Sequence, residues 1–137
     1  MKLRLLLVKD DEVLFEVPLS VEDWPRDRLE TALTSLEGEF DRFSKLFDAL
    51  SHETRLKMMK RLFEDEDLTL GFGDFMKDLD LNPKIVWEST RKLLESGLLV
   101  KSRDGKYRCS EFGKAGFLML SLALSRLLQA LEELKEI

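Results

Sequence analysis

The chain has 137 residues, 44% apolar and 36% charged, with a formal net charge of -5: the length of one ordinary domain and the composition of a folded one. The apolar share excludes a disordered chain, and three Pro and seven Gly exclude collagen-like and low-complexity architectures. A single cysteine, Cys109, rules out an internal disulfide and His52 is the only histidine, so a reducing, cytoplasmic setting is expected and no Cys/His metal cluster.

Residues 2–8 and 13–18 are rich in strand formers and flank the polar Lys9-Asp10-Asp11-Glu12, which predicts a β-hairpin. The segment Met1–Val8 is apolar but short and runs into that charged turn, so no secretion signal is expected. Pro18 to Pro25 ends this appendage, read as residues 1–25, and the remainder, 26–137, is read as one domain with flanking helices. From Arg26 to Leu50 the residues Leu29, Leu33, Leu36, Phe40, Phe43, Phe47 and Leu50 recur at alternating spacings of four and three. That heptad-like stripe predicts one helix over 26–50, with Gly38 a soft point.

Ser51 is placed to cap a helix from Glu53 to about Phe63, whose inner side is Leu56, Met59, Leu62 and Phe63. Asp74 to Leu79 reads as a short helix. Asn82-Pro83 supplies a cap followed by Pro in the first turn of a helix over 83–95, stopped at Ser96-Gly97. Two short strands, 98–102 and 106–110, surround Arg103-Asp104-Gly105. The order is helix, helix, helix, hairpin. Residues 111–137 then read as one long helix carrying Phe117, Leu120, Leu124, Leu127, Leu131 and Leu134 at 3/4 spacing, widened by Leu118, Met119, Leu122, Ala123 and Leu128. A helix apolar over so much of its circumference needs cover on two sides, and in so small a chain a second subunit is the expected cover. Its apolar stretch Ala115–Ala130, broken by Arg126 and serines, falls short of the ~20 uninterrupted residues of a membrane span, so no membrane is expected.

The charge is unevenly spread. Residues 1–50 hold 7 basic and 12 acidic side chains, 51–81 hold 5 and 8, 82–108 hold 7 and 3, and 109–137 hold 3 and 4. One block of +4 thus lies in an otherwise acidic chain, and polyanion binding depends on the local field rather than the total. Asn82 and Gln129 are the only amides, a bias that suggests a thermophilic source.

The stretch Phe47-Asp48-Ala49-Leu50-Ser51-His52-Glu53-Thr54-Arg55-Leu56-Lys57 resembles the opening of the ArsR-type (arsenic-repressor-like) winged-helix regulators, which read roughly ALADPTRLRIL. Leu81 to Leu99, LNPKIVWESTRKLLESGLL, aligns without gaps to that family's recognition helix, LSQSTVSRHLKVLREAGLV, and the wing, Lys101 to Arg108, follows at the right distance. The likeness covers about residues 45–110. It implies a mainly α fold with a small β component, a winged helix-turn-helix, to which this chain adds an amino-terminal hairpin. It also implies a homodimer joined through the first and last helices, and double-stranded DNA as partner.

In such proteins the recognition helix enters the major groove and the wing meets backbone or minor groove. Carried over residue by residue, Lys84, Ile85, Glu88 and Ser89 lie toward bases, Arg91 and Lys92 toward flanking phosphates, and Lys101, Arg103, Lys106 and Arg108 form the wing contacts. The dimer residues are Leu29, Leu33, Leu36, Phe40, Phe117, Leu120, Leu124, Leu127, Leu131 and Leu134. Trp87 reads either as a stacking residue or, more commonly, as a half-buried plug. Glu88 suits a cytosine amino group yet weakens affinity for a polyanion.

The chain departs from the metal-sensing relatives. Where those carry Cys-x-Cys in the form ELCVCDL, this sequence has Thr69-Leu70-Gly71-Phe72-Gly73-Asp74-Phe75, with glycine at both thiolate positions, and no histidine follows His52. No metal or cofactor is expected. His52 reads as a capping or locally bonded residue, and Cys109 as a small buried hydrophobe, with redox sensing the alternative. With no phosphate loop, no nucleophile beside a base and no ligand spacing, the reading is a DNA-binding regulator and not an enzyme; a winged-helix protein-interaction module that does not bind DNA is the alternative.

Overall fold

The computed structural model describes residues 3–136. It is mainly helical, with one two-stranded and one three-stranded antiparallel sheet. Two compact units divide after Asp41, so the first long helix groups with the hairpin, whereas the sequence placed the boundary after Pro25.

In the first unit β1 (Arg4–Lys9) pairs with β2 (Glu12–Pro18). Asp10 and Asp11 both adopt positive φ, 49° and 66°, the backbone of a two-residue turn whose twist matches the flanking strands. Leu7 lies opposite Phe15 but Val8 opposite Val13, which leaves Leu14 as the extra residue of a bulge. The Trp24 indole N–H donates to Pro18 O at 2.9 Å and closes the loop into α1 (Arg26–Glu37).

The single helix expected over 26–50 is two helices, α1 and α2 (Phe40–Leu50), separated by Gly38 and Glu39. Glycine costs about 1 kcal/mol in a helix interior relative to alanine, and the apolar period runs through the break because side-chain spacing does not report backbone continuity. Leu33, Leu36, Phe40 and Phe47 of the stripe are exposed. What packs on the core from α2 is Leu46, Ala49 and Leu50.

The core of the second unit is built from α3 (Glu53–Glu64), α4 (Phe72–Leu79), α5 (Pro83–Glu95) and a three-stranded sheet ordered β3-β5-β4. Met58, Met59 and Leu62 of α3, Phe75 of α4, Val86 and Leu93 of α5, and Leu98, Leu99, Tyr107 and Cys109 are buried together. Met58 takes the inner place expected for Leu56, which is part-buried. The expected cap also differs: His52 is the N-cap of α3 with no side-chain cap bond, and the Ser51 hydroxyl donates back to Asp48 O at 2.9 Å. Arg55 is buried and caps the preceding helix instead. Its Nε donates to Ala49 O at 2.6 Å and its terminal amino group to Asp48 O at 2.7 Å, which satisfies carbonyls left open at the end of α2.

The ends of α5 are as the sequence indicates. Asn82 Oδ1 accepts from the Ile85 N–H at 2.9 Å, Pro83 occupies the first turn, and Gly97, φ 82°, follows the stop. Strands β4 (Leu99–Lys101) and β5 (Tyr107–Cys109) flank a loop at Gly105, φ 84°, and β3 (Thr69–Leu70), too short to leave a sequence signal, adds the third strand. Residues 111–136 are helical throughout as α6 (Glu111–Leu118), a π-helical turn Met119–Ala123, α7 (Leu124–Glu132) and a 3-10 turn. Gly113 lies so close to β4 that a β-carbon there would sit 1.9 Å from Leu98 O.

Beyond Leu118 no described residue of this helix is buried. Contrary to the sequence expectation, Glu111–Lys135 is long and apolar enough, by length and composition alone, to cross a membrane. Its second half is amphipathic, with Ser125, Arg126, Gln129, Glu132 and Glu133 polar.

Candidate nucleic-acid interface

Helix α5 turns Val86, Ser89, Thr90 and Leu93 inward, and the Thr90 hydroxyl donates to Val86 O at 2.8 Å. The 3.6-residue period therefore puts Lys84, Glu88, Arg91 and Glu95 on the outermost line, flanked by Ile85 and Trp87. Two of the expected contact residues stand off that outermost line. Ser89 is only 4% exposed, on the inward face with Val86 and Leu93, and meets the surface only at the floor of the groove between α5 and α3. Lys92 is half-buried, and its ammonium donates to Asp48 Oδ2 at 2.6 Å, a bond that holds the Asp48 carboxyl below its ordinary range. Lys92 is thus a tie between α5 and α2.

Trp87 is exposed (55%), and the Arg91 guanidinium lies 4.9 Å from its ring centroid, with Glu95 4.0 Å from Arg91 Nε. The half-buried plug expected of Trp87 is therefore corrected, because the burial stripe of α5 passes to its other side. Ile85, Trp87, Glu88, Ser89, Arg91 and Lys92 line a groove of about 410 Å³ with His52, Thr54 and Arg55 of α3 and its cap. His52, read as a cap, makes no cap bond and borders this groove.

The exposed line of α5 is balanced, two bases against two acids. The surplus of positive charge lies on the β4–β5 hairpin, where Lys101, Arg103, Lys106 and Arg108 are exposed. Among the described residues none of these four, nor Lys84, forms an ion pair. Lys101 Nζ lies 5.7 Å from the Tyr107 ring centroid, a cation–π contact that leaves its charge unpaired. Arg108 stands with Val100 and Thr69 in register on the sheet face opposite Tyr107 and Cys109. Asp104 shapes the loop: Ser102 Oγ donates to its carboxylate and the Lys106 N–H bonds it at 3.3 Å, which hold its pKa below the ordinary value. Lys106 also borders an acidic groove lined by Asp65, Asp67, Asp74, Asp78 and Asp104.

Cys109 is buried under β5, and burial pushes its thiol up to about 11 against a weaker downward pull from Lys114, so it is protonated at neutral pH. Among the described residues no group of three or more His, Cys, Asp or Glu stands together to hold a metal ion. A separate apolar groove of about 590 Å³ runs between α3 and the carboxy-terminal helix, lined by Leu56, Phe63, Phe117, Leu118, Leu120 and Leu122. Of the expected dimer residues, Phe117 packs on Phe63, ring centroids 5.0 Å apart, while Leu120, Leu127, Leu131 and Leu134 are part-buried and Leu124 is exposed. The most exposed apolar side chains of this helix are instead Met119, Leu122 and Leu128. No family model matches the chain, and no curated protein matches it.

Proposed function

We propose that the second unit is a winged helix-turn-helix and that the protein is a homodimeric, DNA-binding transcriptional regulator related in design to the ArsR-type regulators. Helix α5 is the recognition helix and β4–β5 the wing. The observation that carries the reading is the hairpin's four exposed bases, none in an ion pair, directly following a capped helix whose amino end carries Lys84. In this arrangement the hairpin supplies most of the phosphate attraction. The helix, electrically balanced, supplies base contacts through Lys84, Ile85 and Glu88, with Arg91 held against Trp87. A duplex pool from the source genome, titrated by fluorescence anisotropy, is expected to bind, and Arg103→Ala or Lys106→Ala to weaken binding alike for every sequence.

The carboxy-terminal helix is proposed as the dimer contact. Met119, Leu122 and Leu128 are already about half covered, so burying them fully against a second copy is worth about 1–2 kcal/mol for each side chain, and the amphipathic second half suits a helix partner better than a bilayer. No catalytic role and no metal is assigned. One observation favours a second reading, a protein-interaction module: the apolar groove beside α3. Absence of duplex binding at low salt, in a protein that still dimerises, selects that reading.

A further inference from the structure

The two-stranded sheet of the first unit has two unlike edges. The Leu19 N–H donates to Leu3 O at 2.9 Å, which marks residues 3 and 19 as a hydrogen-bonded pair. By alternation 5/17 and 7/15 are hydrogen-bonded pairs as well, so the N–H and C=O groups of Arg4, Leu6 and Val8 point away from β2. On β2 the outward positions are Val13, Glu16 and Pro18, and the bulge falls at Leu14 between the first two. A charge, a proline without an N–H and a bulge are the devices that keep an edge from pairing. The edge of β1 carries charge only at its two ends, Arg4 and Lys9, with no proline and no bulge: Leu5-Leu6-Leu7-Val8 is an uninterrupted apolar run, the pattern of a strand with neighbours on both sides.

The two faces differ as well. Leu5, Leu7, Phe15 and Val17 make one face apolar throughout, while the other sets Leu6, Val8 and Val13 beside the Arg4–Glu16 ion pair at 2.9 Å. Leu5, Leu7 and Phe15 are each about half exposed. The Trp24–Pro18 bond ties this hairpin to the segment before α1, and further strands sharing its apolar face would stabilise it more.

We infer that β1 pairs antiparallel with β1 of a second copy, forming a four-stranded sheet β2-β1-β1-β2 about a twofold axis through Leu6. Only residues 4, 6 and 8 offer outward bonds, so the axis must pass through a residue. Centring it on Leu6 sets Leu5 opposite Leu7 and Arg4 opposite Val8; centring it on Leu7 would set Leu5 against Lys9. The axis is perpendicular to the sheet, so both copies contribute Leu5, Leu7, Phe15 and Val17 to one apolar face. A second copy fits better than an unrelated strand because it closes the assembly: the edges left outside are the two guarded β2 edges, whereas a foreign strand brings an open edge of its own. This contact is separate from the carboxy-terminal helix and does not depend on DNA binding.

Amide hydrogen exchange read by NMR across a dilution series of the purified protein tests it. The Leu6 and Val8 amides are expected to exchange at least about tenfold more slowly at high concentration than after dilution, while Leu5 and Leu7, bonded to β2, stay protected at both. In Leu6→Lys, which places a charge on the edge, the Val8 amide should exchange fast at every concentration. A wild-type Leu6 amide that is fast at all concentrations, or slow independently of concentration, overturns the inference. So does loss of protection at Leu5 and Leu7, which would mean no stable hairpin to pair. Duplex binding enters neither arm, so failure here leaves the DNA reading standing and failure there leaves this one standing.

Discussion

Arg55 and Asp48 show what the segment 47–57 does in the fold. The Arg55 guanidinium is buried against Asp48 O and Ala49 O, and hydrogen bonds from a charged group of this kind contribute about 1.5–3 kcal/mol each. The side chain of the same Asp48 takes the Lys92 ammonium. Because that bond holds the Asp48 pKa below 3.8, the tie between α2 and α5 is present at neutral pH and is lost only as pH falls through the lowered value. Asp48→Asn should release Lys92 toward solvent. In a duplex titration its affinity should rise several-fold and its salt dependence steepen by about one phosphate contact; unchanged affinity would mean that Lys92 faces no phosphate. The sequence placed Arg55 in its motif but not in its role, since its partners are backbone carbonyls six and seven residues upstream, which no side-chain pattern records. Ser89 was read as outward, and Trp87 left open between a stacking residue and a plug, for a related reason. A one-residue shift in the buried stripe of α5 decides which of them faces out, and VWESTRKLL admits both phases.

At the scale of elements, the ends of helices were legible where chemistry is local. Asn82-Pro83 and Gly97 bound α5 because a side-chain cap, a proline ring and a positive φ act within one turn. The break after Gly38 was visible only as a soft point. The two-residue strand β3 and the π-helical turn at Met119–Ala123 were not visible, being set by pairing with β5 and by packing along a helix. Gly113 was passed over as an ordinary helix residue, yet α6 crosses β4 there at backbone contact. Gly113→Ala should therefore cost about 1–3 kcal/mol or more in urea unfolding, since the Leu98 carbonyl, fixed just before β4 and accepting from the Ser110 N–H at 3.3 Å, has little room to retreat. Gly73→Ala in α4 meets nothing within 4 Å and should leave stability unchanged or raise it by up to about 1 kcal/mol. Equal effects for the two would contradict the close crossing.

For the whole molecule, the order helix, helix, helix, hairpin was readable from caps and turns, and so was the apolar excess of the last helix. The charge distribution was legible only as a block of +4. The structure separates it into a balanced helix and a basic hairpin, a division that depends on which side chains face solvent. The proposed helix contact is tested at the most exposed of its leucines (66%): Leu122→Glu, made together with Leu6→Lys so that the β1 edge cannot hold the copies together, should shift the sedimentation coefficient toward that of a monomer while far-ultraviolet circular dichroism stays native. An unchanged sedimentation profile would place the dimer contact elsewhere.

The claim on which the account turns is that the basic hairpin grips a nucleic-acid backbone. It is tested most directly by the slope of log affinity against log salt concentration for one bound duplex, in the wild type and in the Lys101, Arg103, Lys106, Arg108 fourfold alanine variant. The account predicts a steep fall of affinity with salt, and a variant slope shallower by about three to four for each protomer bound. Duplex affinity that is indifferent to salt, or a slope the fourfold variant leaves intact, would contradict it.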